Sequence, residues 1–496
     1  MTVALSGLTE ALTRAGLVVS LDGTLPTVIT ALTDDSRRVV PGALFIAVRG
    51  ATGDGHNYLK DAEAAGAVAA IVETGGRTAL PAIRVNDGRA AAAIAAAAFH
   101  GWPATSLRLL AVTGTSGKST TVAMLRHLFD DPPGSSASIG TLGVLRGSPA
   151  ASLADIGGLT TPGPIELQRV LRALVRAGVK TVATEVSSHA LDQKRVGTVA
   201  FDAAVFTNLS HEHLDYHGTM AAYLAAKAML TTMLTPNGAA VVNADDAAWR
   251  DLPPTPRRIS FGMHVAADVS ARGATFGPTG SRWTLVTPDG EADVTLPLLG
   301  DFNVMNALAA AATAWALGVP VATIAARLGR VEQVPGRLER IWSQPTVLRD
   351  YAHKPDALAR ALDAVRPFVP SGKRIITVVG CGGDRDRAKR PVMGGIAQAK
   401  SDLVIITSDN PRTEDPERIL DEMAAGMTNG KPFERIEDRR AAIARALDVA
   451  APDDVIVLAG KGHETYQIRG TTKYPFDERE IVEELALHRS NRADGG

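Results

Sequence analysis

Short runs of β-branched and apolar residues alternate along this chain with alanine-rich stretches. Residues 62–70 and 90–98 read as alanine-rich helices, as do residues 321–328. Residues 107–113, 179–184, 203–206, 374–379, 403–407 and 455–458 read as buried strands. This alternation predicts a layered α/β architecture rather than an all-β or all-helical one. Two punctuation points divide the chain: His100-Gly101-Trp102-Pro103, before the strand at 107, and Val334-Pro335-Gly336-Arg337, after the helix at 321. They predict three domains, 1–106, 107–337 and 338–496, each of ordinary size.

Each of these six strands runs into a loop dense in Gly, Asp, His, Asn or Arg. The loops include Thr113-Gly114-Thr115-Ser116-Gly117-Lys118-Ser119-Thr120, Glu185-Val186-Ser187-Ser188-His189 and Thr207-Asn208-Leu209-Ser210-His211-Glu212-His213. In the last third they include Gly380-Cys381-Gly382-Gly383-Asp384-Arg385, Asp409-Asn410-Pro411-Arg412 and Gly460-Lys461-Gly462-His463-Glu464. Parallel α/β sheets bind ligands at the carboxyl ends of their strands, so these loops are the candidate site.

Composition narrows the function. Hydrophobic residues make up 45% and charged residues 21% of 496, ordinary for a protein with sizeable cores. Lys plus Arg total 52 against 53 Asp plus Glu, a net charge of −1, which excludes nucleic-acid binding by bulk positive charge. A single cysteine, Cys381, excludes an intrachain disulfide framework and fits a reducing compartment. The N-terminus lacks the basic start and apolar run of a secretory signal. The most apolar stretch, 90–99, is about half the length of a membrane span. These features predict a cytoplasmic protein without membrane insertion.

The loop from Gly114 to Thr120 follows a strand and opens a helix expected from Thr121. Its amides can cradle phosphate oxygens, Lys118 can neutralise their charge, and the Ser119 hydroxyl can bind Mg²⁺. The full GxxxxGKS/T pattern fails at its first position, which is Val112. Glu185 ends the next strand, where a carboxylate reaches a phosphate-bound metal or is simply a strand-end charge. His211, Glu212, His213, Asp215 and His217 lack the spacing of a tetrahedral zinc site and suit Mg²⁺ or Mn²⁺ better. Loop or capping hydrogen bonds account equally well for some of them.

Together, the phosphate loop, Glu185 to His189, Thr207-Asn208-Leu209, His213-Leu214-Asp215, the segment from Tyr223 to Lys227, Phe302-Asn303-Val304-Met305-Asn306, Pro335-Gly336-Arg337 and Asp350-Tyr351-Ala352-His353 resemble the Mur ligases. The resemblance runs from about Thr33 to Glu480, with the motifs in the family's order. It implies a UDP-binding α/β domain, a central P-loop ATPase with a mostly parallel sheet and a C-terminal Rossmann-like domain. The implied activity uses ATP to phosphorylate the D-Glu γ-carboxylate of UDP-N-acetylmuramoyl-L-alanyl-D-glutamate. A diamino acid then attacks the acyl phosphate, adding the third residue of the peptidoglycan peptide.

The resemblance also assigns residues. Lys118, Glu185, His213 and Lys227 are implied to be catalytic, with Ser119, Glu185, His213 and a carbamate on Lys227 holding two Mg²⁺ ions. Without the resemblance, Lys227 reads as a solvated lysine in an alanine-rich helix. ATP is implied to meet residues Gly114, Thr115, Ser116, Gly117, Lys118, Ser119 and Thr120, with Asn306, Arg337 and Asp350. The UDP substrate is implied to meet Asp35, Ser36, Ala51, Thr52, Gly53, Thr160, Thr161, Ser187, Gln193 and Arg195. Asp409-Asn410-Pro411-Arg412 marks meso-diaminopimelate enzymes in the family, with Arg385, Gly460 and Glu464 completing the pocket. Arg412 can bind the second carboxylate, which lysine lacks. A lysine-adding ligase of the same fold is the alternative, followed by a folate-type polyglutamate ligase. The expected partners are small molecules, and the expected state is a monomer.

Overall fold

The computed structural model describes residues 2–50, 53–73, 78–154 and 158–493. The chain forms two compact units, the first of Met1–Ser270, Val286–Glu291 and Asn306–Arg327, the second of Ala271–Leu285, Ala292–Met305 and Leu328–Gly496. The fold is α/β, with a large, mostly parallel central sheet and separate N-terminal and C-terminal sheets.

In the first unit the N-terminal sheet has the order Val18–Asp22, Ala82–Val85, Ala67–Glu73, Ala43–Ile46, Ala31–Thr33. Only the Val18–Asp22 edge runs antiparallel. Helices Leu5–Arg14 and Gly88–Phe99 cover one face, burying Leu5, Leu8, Leu12, Ala92 and Ala96 against Leu44, Ile71 and Ile83. Asp87 starts the second helix by accepting the Ala90 N–H, a cap worth about 1 kcal/mol. The expected helix over 62–70 is corrected: the helix is Leu59–Ala64, the chain turns at Gly66, and Ala67–Glu73 is a strand. Alanine's helical preference is weak, and this run is paired on both sides, with Ala67 and Ala70 in the same cluster as helix residue Ala62.

The central sheet continues the first unit in the order Ala151–Ala154, Gly143–Arg146, Ser136–Gly140, Thr181–Glu185, Arg108–Thr113, Phe201–Phe206, Leu234–Asn243, Arg257–Gly262. From Ser136–Gly140 onward every pairing in that order is parallel. Helix Pro164–Arg176 buries Leu167, Val170, Leu171 and Leu174 on strand residues Leu109, Ala137 and Val182. Each such side chain contributes roughly 1.5–3 kcal/mol. Glu185 pairs with Val112 and Phe206 with Thr113, so three neighbouring strands end at one level. The loops at 113–120, 185–189 and 207–213 therefore emerge side by side.

In the second unit a six-stranded sheet has the order Glu339–Ser343, Thr346–Asp350, Val455–Ala459, Ile375–Val379, Leu403–Ile406, Phe433–Arg435. Only its first pair is antiparallel. Helices Pro355–Val365, Lys389–Lys400 and Pro416–Ala424 pack on one face through Leu358, Leu362, Met393, Ile419 and Met423. Helix Arg439–Val449 packs on the other through Ile443 and Leu447. Asp350 and Val379 both pair with Ala459, and Ile406 pairs with Val379. Four strand ends therefore line up beneath the loops at 350–353, 380–385, 407–412 and 460–464.

Candidate active site

The phosphate-loop helix begins at Lys118, three residues before the expected Thr121, and spans Lys118–Leu128. Val112, where the full pattern has glycine, is a buried residue of the strand; the turn itself starts at Gly114. Gly114 has φ 144° and Gly117 has φ 85°. A Cβ on Gly114 would overlap Thr207 Oγ1, and one on Gly117 would overlap Asn306 Oδ1. We predict that Gly114→Ala destabilises the protein by about 1–3 kcal/mol, because backbone strain and the Thr207 overlap act together. Thermal unfolding checks this, and an unchanged midpoint contradicts it.

Thr207 and Asn208, from the adjacent strand end, brace the loop. Thr207 Oγ1 donates to the Ser116 carbonyl at 2.7 Å, and the Ser116 N–H donates to Asn208 Oδ1 at 2.9 Å. Asn306, on helix Asp301–Ala316, accepts from Thr121 Oγ1 at 3.4 Å. Ser119 and Thr120 are buried at the start of the loop's helix.

Lys118 and Lys227 converge. Lys118 Nζ donates to the carbonyls of Gly114 and Thr115 at 2.8 and 2.9 Å. Lys227 Nζ donates to the same Gly114 carbonyl at 2.9 Å and lies 4.6 Å from the centroid of the Tyr223 ring. Lys227 is 1% exposed rather than solvated. Burial, with Lys118 beside it, pushes its ammonium well below the ordinary lysine range. Burial also lowers His213, helped by Lys118 and Lys227. His213 has φ 57°, its ring centroid lies 4.7 Å from that of His189, and its Nε2 is 3.5 Å from Glu212 Oε1. His217 bonds Ser188 Oγ at 2.9 Å, and His211 is exposed.

Glu185, 2% exposed, accepts from Thr141 N at 2.8 Å and from Thr141 Oγ1 at 3.3 Å. Among the described residues no group of three or more His, Cys, Asp or Glu side chains is gathered tightly enough to hold a metal. By type, the Ser119 hydroxyl, the Glu185 carboxylate and the His213 imidazole are donors that Mg²⁺ accepts. Lys227 fits only as a carbamate, since an ammonium repels the ion and a carboxylate attracts it.

Thr141 also links Glu185 to Thr160, since its Oγ1 lies 3.3 Å from Thr160 Oγ1. Thr161 Oγ1 donates to the Glu185 carbonyl at 2.8 Å and accepts the Ser187 N–H at 3.1 Å. Arg195 donates to the Thr161 carbonyl at 2.9 Å and to Gln193 Oε1 at 2.8 Å. A cleft of about 710 Å³ in the same unit is lined by Asp35, Ser36, Gly53, Gln193 and Arg195. Arg37, in the Asp35-Ser36-Arg37 loop, lines it too, as do Arg49, Arg89 and Leu159, which no motif marks. Ala51 and Thr52 lie outside the described residues.

In the second unit the Arg337 guanidinium stands 5.0 Å from the centroid of the Tyr351 ring, and Asp350 Oδ2 accepts the Leu338 N–H at 2.6 Å. Burial pushes the Asp350 carboxyl up to about 6, against the opposing pull of Arg337 and of the Leu338 and Ala352 N–H groups. Arg412 has φ 53°, and its guanidinium donates to the Gly383 carbonyl at 2.8 Å. Arg385 is exposed on the neighbouring loop, while Asp409, Asn410 and Pro411 are buried. Asn410 Nδ2 donates to Glu464 Oε2 at 2.9 Å, and Gly460 begins the loop that carries Glu464. Arg412, Asn410 and Glu464 thus set donors beside one carboxylate.

A glycine loop between a strand and a helix, at the carboxyl edge of a parallel sheet, defines a P-loop α/β protein. Residues 28–100 match the model of the Mur ligase family catalytic domain, 112–314 the Mur ligase middle domain and 336–462 the Mur ligase glutamate ligase domain. The UDP-N-acetylmuramoyl-L-alanyl-D-glutamate–2,6-diaminopimelate ligase of Synechococcus elongatus is 46% identical over 91% of this chain and 93% of its own. The ligase of that name from Gloeobacter violaceus is 44% identical over 97% and 98%. A solved structure of a ligase of that name superposes with a TM-score of 0.69 at 32% identity, covering 98% of this chain and all of its own. The chain belongs to the Mur ligase family.

Proposed function

We propose that the protein is an ATP-dependent ligase that joins meso-diaminopimelate to the D-Glu γ-carboxylate of UDP-N-acetylmuramoyl-L-alanyl-D-glutamate, in peptidoglycan precursor synthesis. The observation that carries this reading is the pair Lys118 and Lys227 on one phosphate-loop carbonyl, one lysine poised for phosphate charge and the other buried. The names of the relatives support the choice of substrates.

A free carboxylate resists attack by an amine because the reaction would have to expel oxide. Transfer of the γ-phosphoryl group gives an acyl phosphate and ADP. The amine then adds to the acyl carbon, loses a proton and expels phosphate. Catalysis of both steps is largely positioning and charge stabilisation. The amides of residues 114–120 cradle phosphate oxygens and Lys118 offsets their charge. Thr160, Thr161, Ser187, Gln193 and Arg195 hold the muramoyl-dipeptide, whose uridine end fills the cleft at Asp35, Ser36 and Gly53. Arg412, Asn410 and Arg385 bind diaminopimelate carboxylate, and Glu464 takes an ammonium, with Asp409, Pro411 and Gly460 shaping the loops.

Ser119, Glu185, His213 and a carbamylated Lys227 would hold Mg²⁺, which would further neutralise the phosphates. Carbamylation needs the neutral amine that burial favours: the ammonium gives up one proton, its nitrogen adds to CO₂ and a second proton leaves, so a cation becomes an anion.

Oxygen-18 in the D-Glu carboxylate tests the acyl phosphate, since one labelled oxygen must appear in the released phosphate. Unlabelled phosphate from labelled substrate contradicts it.

Asn306, Arg337 and Asp350 complete the nucleotide contacts. Ionised Asp350 offers only acceptors, whereas its protonated form turns an O–H donor into the site, and burial pushes its carboxyl up to about 6. The apparent KM for ATP is therefore expected to rise as pH falls from 7.5 through 6, and Asp350→Asn should remove that inflection. The same inflection in the variant contradicts the assignment. We assign the boundaries 1–106, 107–337 and 338–496 to the UDP-binding, ATPase and amino-acid-binding domains. We place the enzyme in the cytoplasm as a monomer; no described helix is long and apolar enough to cross a membrane.

A further inference from the structure

Lys461 sits between two glycines in the loop after strand Val455–Ala459, yet it is among the most enclosed side chains of the protein, with no exposed surface. Its Nζ lies 3.1 Å from Asn410 Oδ1, 3.3 Å from Asp409 Oδ1 and 3.5 Å from Glu464 Oε2. A buried ammonium is tolerated only when paired, and here the partners are two carboxylates and an amide oxygen. Those partners belong to the loop pair that binds the amino acid in the reading above, on which this inference rests.

The arrangement fixes the Asn410 amide. Its oxygen accepts from Lys461 Nζ and from the Ile468 N–H at 2.9 Å, while its nitrogen donates to Glu464 Oε2 at 2.9 Å. Flipping the amide would turn its N–H groups onto two donors and its oxygen onto a carboxylate. Asn410 is thus held with its N–H groups on the Glu464 side, two residues before Arg412, and Glu464 is held as an acceptor. Lys461 also leaves the trio with one uncompensated negative charge, since one ammonium faces the two carboxylates of Asp409 and Glu464. A pocket with fixed donors on one side and excess negative charge on the other is complementary to an amino acid's carboxylate and ammonium.

We propose that Lys461 is a positioning residue that determines amino-acid specificity. It locks Asn410 as a carboxylate-reading donor and Glu464 as an ammonium-reading acceptor, and so favours an acceptor with a second carboxylate over one without.

The test is steady-state kinetics of the full-length enzyme with Mg-ATP and the UDP-muramoyl-dipeptide, using meso-diaminopimelate or L-lysine. For Lys461→Met the KM for diaminopimelate is expected to rise about thirtyfold, with kcat within about threefold and the KM for ATP within about twofold. The preference for diaminopimelate over lysine should fall about tenfold or more, because the lost orientation serves the second carboxylate. Lys461→Gln keeps an N–H donor and should recover most of that preference. A purely structural strut would instead lower the thermal midpoint and raise all the KM values together, leaving the preference unchanged, and that result overturns the inference. So does an unchanged diaminopimelate KM. Should Lys461→Met not fold, Lys461→Gln decides: a modest selective loss supports the role, and a uniform loss or none overturns it. Wild-type enzyme silent with diaminopimelate would remove the amino-acid reading itself, whereas active wild type with an unselective variant removes only the role of Lys461.

Discussion

Lys227→Ala is expected to lower turnover by about a hundredfold to a thousandfold, the scale on which electrostatic groups at a developing charge act. Added bicarbonate should not restore it, because the nitrogen that would carry the carbamate is gone. The effect is large because one side chain changes the charge of the site. As an ammonium, Lys227 shares the Gly114 carbonyl with Lys118 and repels a metal. As a carbamate it would attract Mg²⁺ and pair with Lys118. Its 1% exposure and its position beside Lys118 favour the neutral amine, the form that the proposed carbamylation requires. Phosphate release at saturating substrates, with circular dichroism to confirm folding, is the check. Full activity in the folded variant contradicts the carbamate.

Arg412→Ala should raise the KM for diaminopimelate about a hundredfold and that for ATP no more than about twofold, as loss of a charge-assisted, two-pronged contact predicts. Arg412 is pre-set for this contact: its backbone is held at φ 53° with its N–H on the Ile468 carbonyl at 3.1 Å, and its guanidinium is anchored to the Gly383 carbonyl. Behind it, Arg390, wholly buried, clamps Glu414 from the same loop at 2.9 Å. Truncation at Arg412 leaves that scaffold in place, so the loss falls on the amino acid alone. Equal increases in the two KM values would contradict the pocket.

The strand-end loops were legible because buried parallel strands are short apolar runs and their exits are polar. The phosphate loop, the Glu185 strand end and the loop at 409–412 carried local signals in residue type and spacing. What the chain does not advertise is long-range contact. Thr141 holds Glu185 across 44 positions and bears no motif. Lys227 looks like a solvated helix residue because nothing local reveals that the Gly114 carbonyl, 113 positions away, closes over it. Lys461, flanked by glycines, reads as loop and is fully enclosed. Residues 67–70 misled because alanine runs favour helices locally, whereas two neighbouring strands claim that backbone.

The most direct test is phosphate release from Mg-ATP with the UDP-muramoyl-dipeptide, run in parallel with meso-diaminopimelate and with L-lysine. Turnover with diaminopimelate and little with lysine, giving a product of the dipeptide's mass plus one diaminopimelate less water, is the expected result. Turnover with lysine at an equal rate would keep the ligase and contradict the role of Arg412. Silence of the folded protein with both would contradict the proposed reaction.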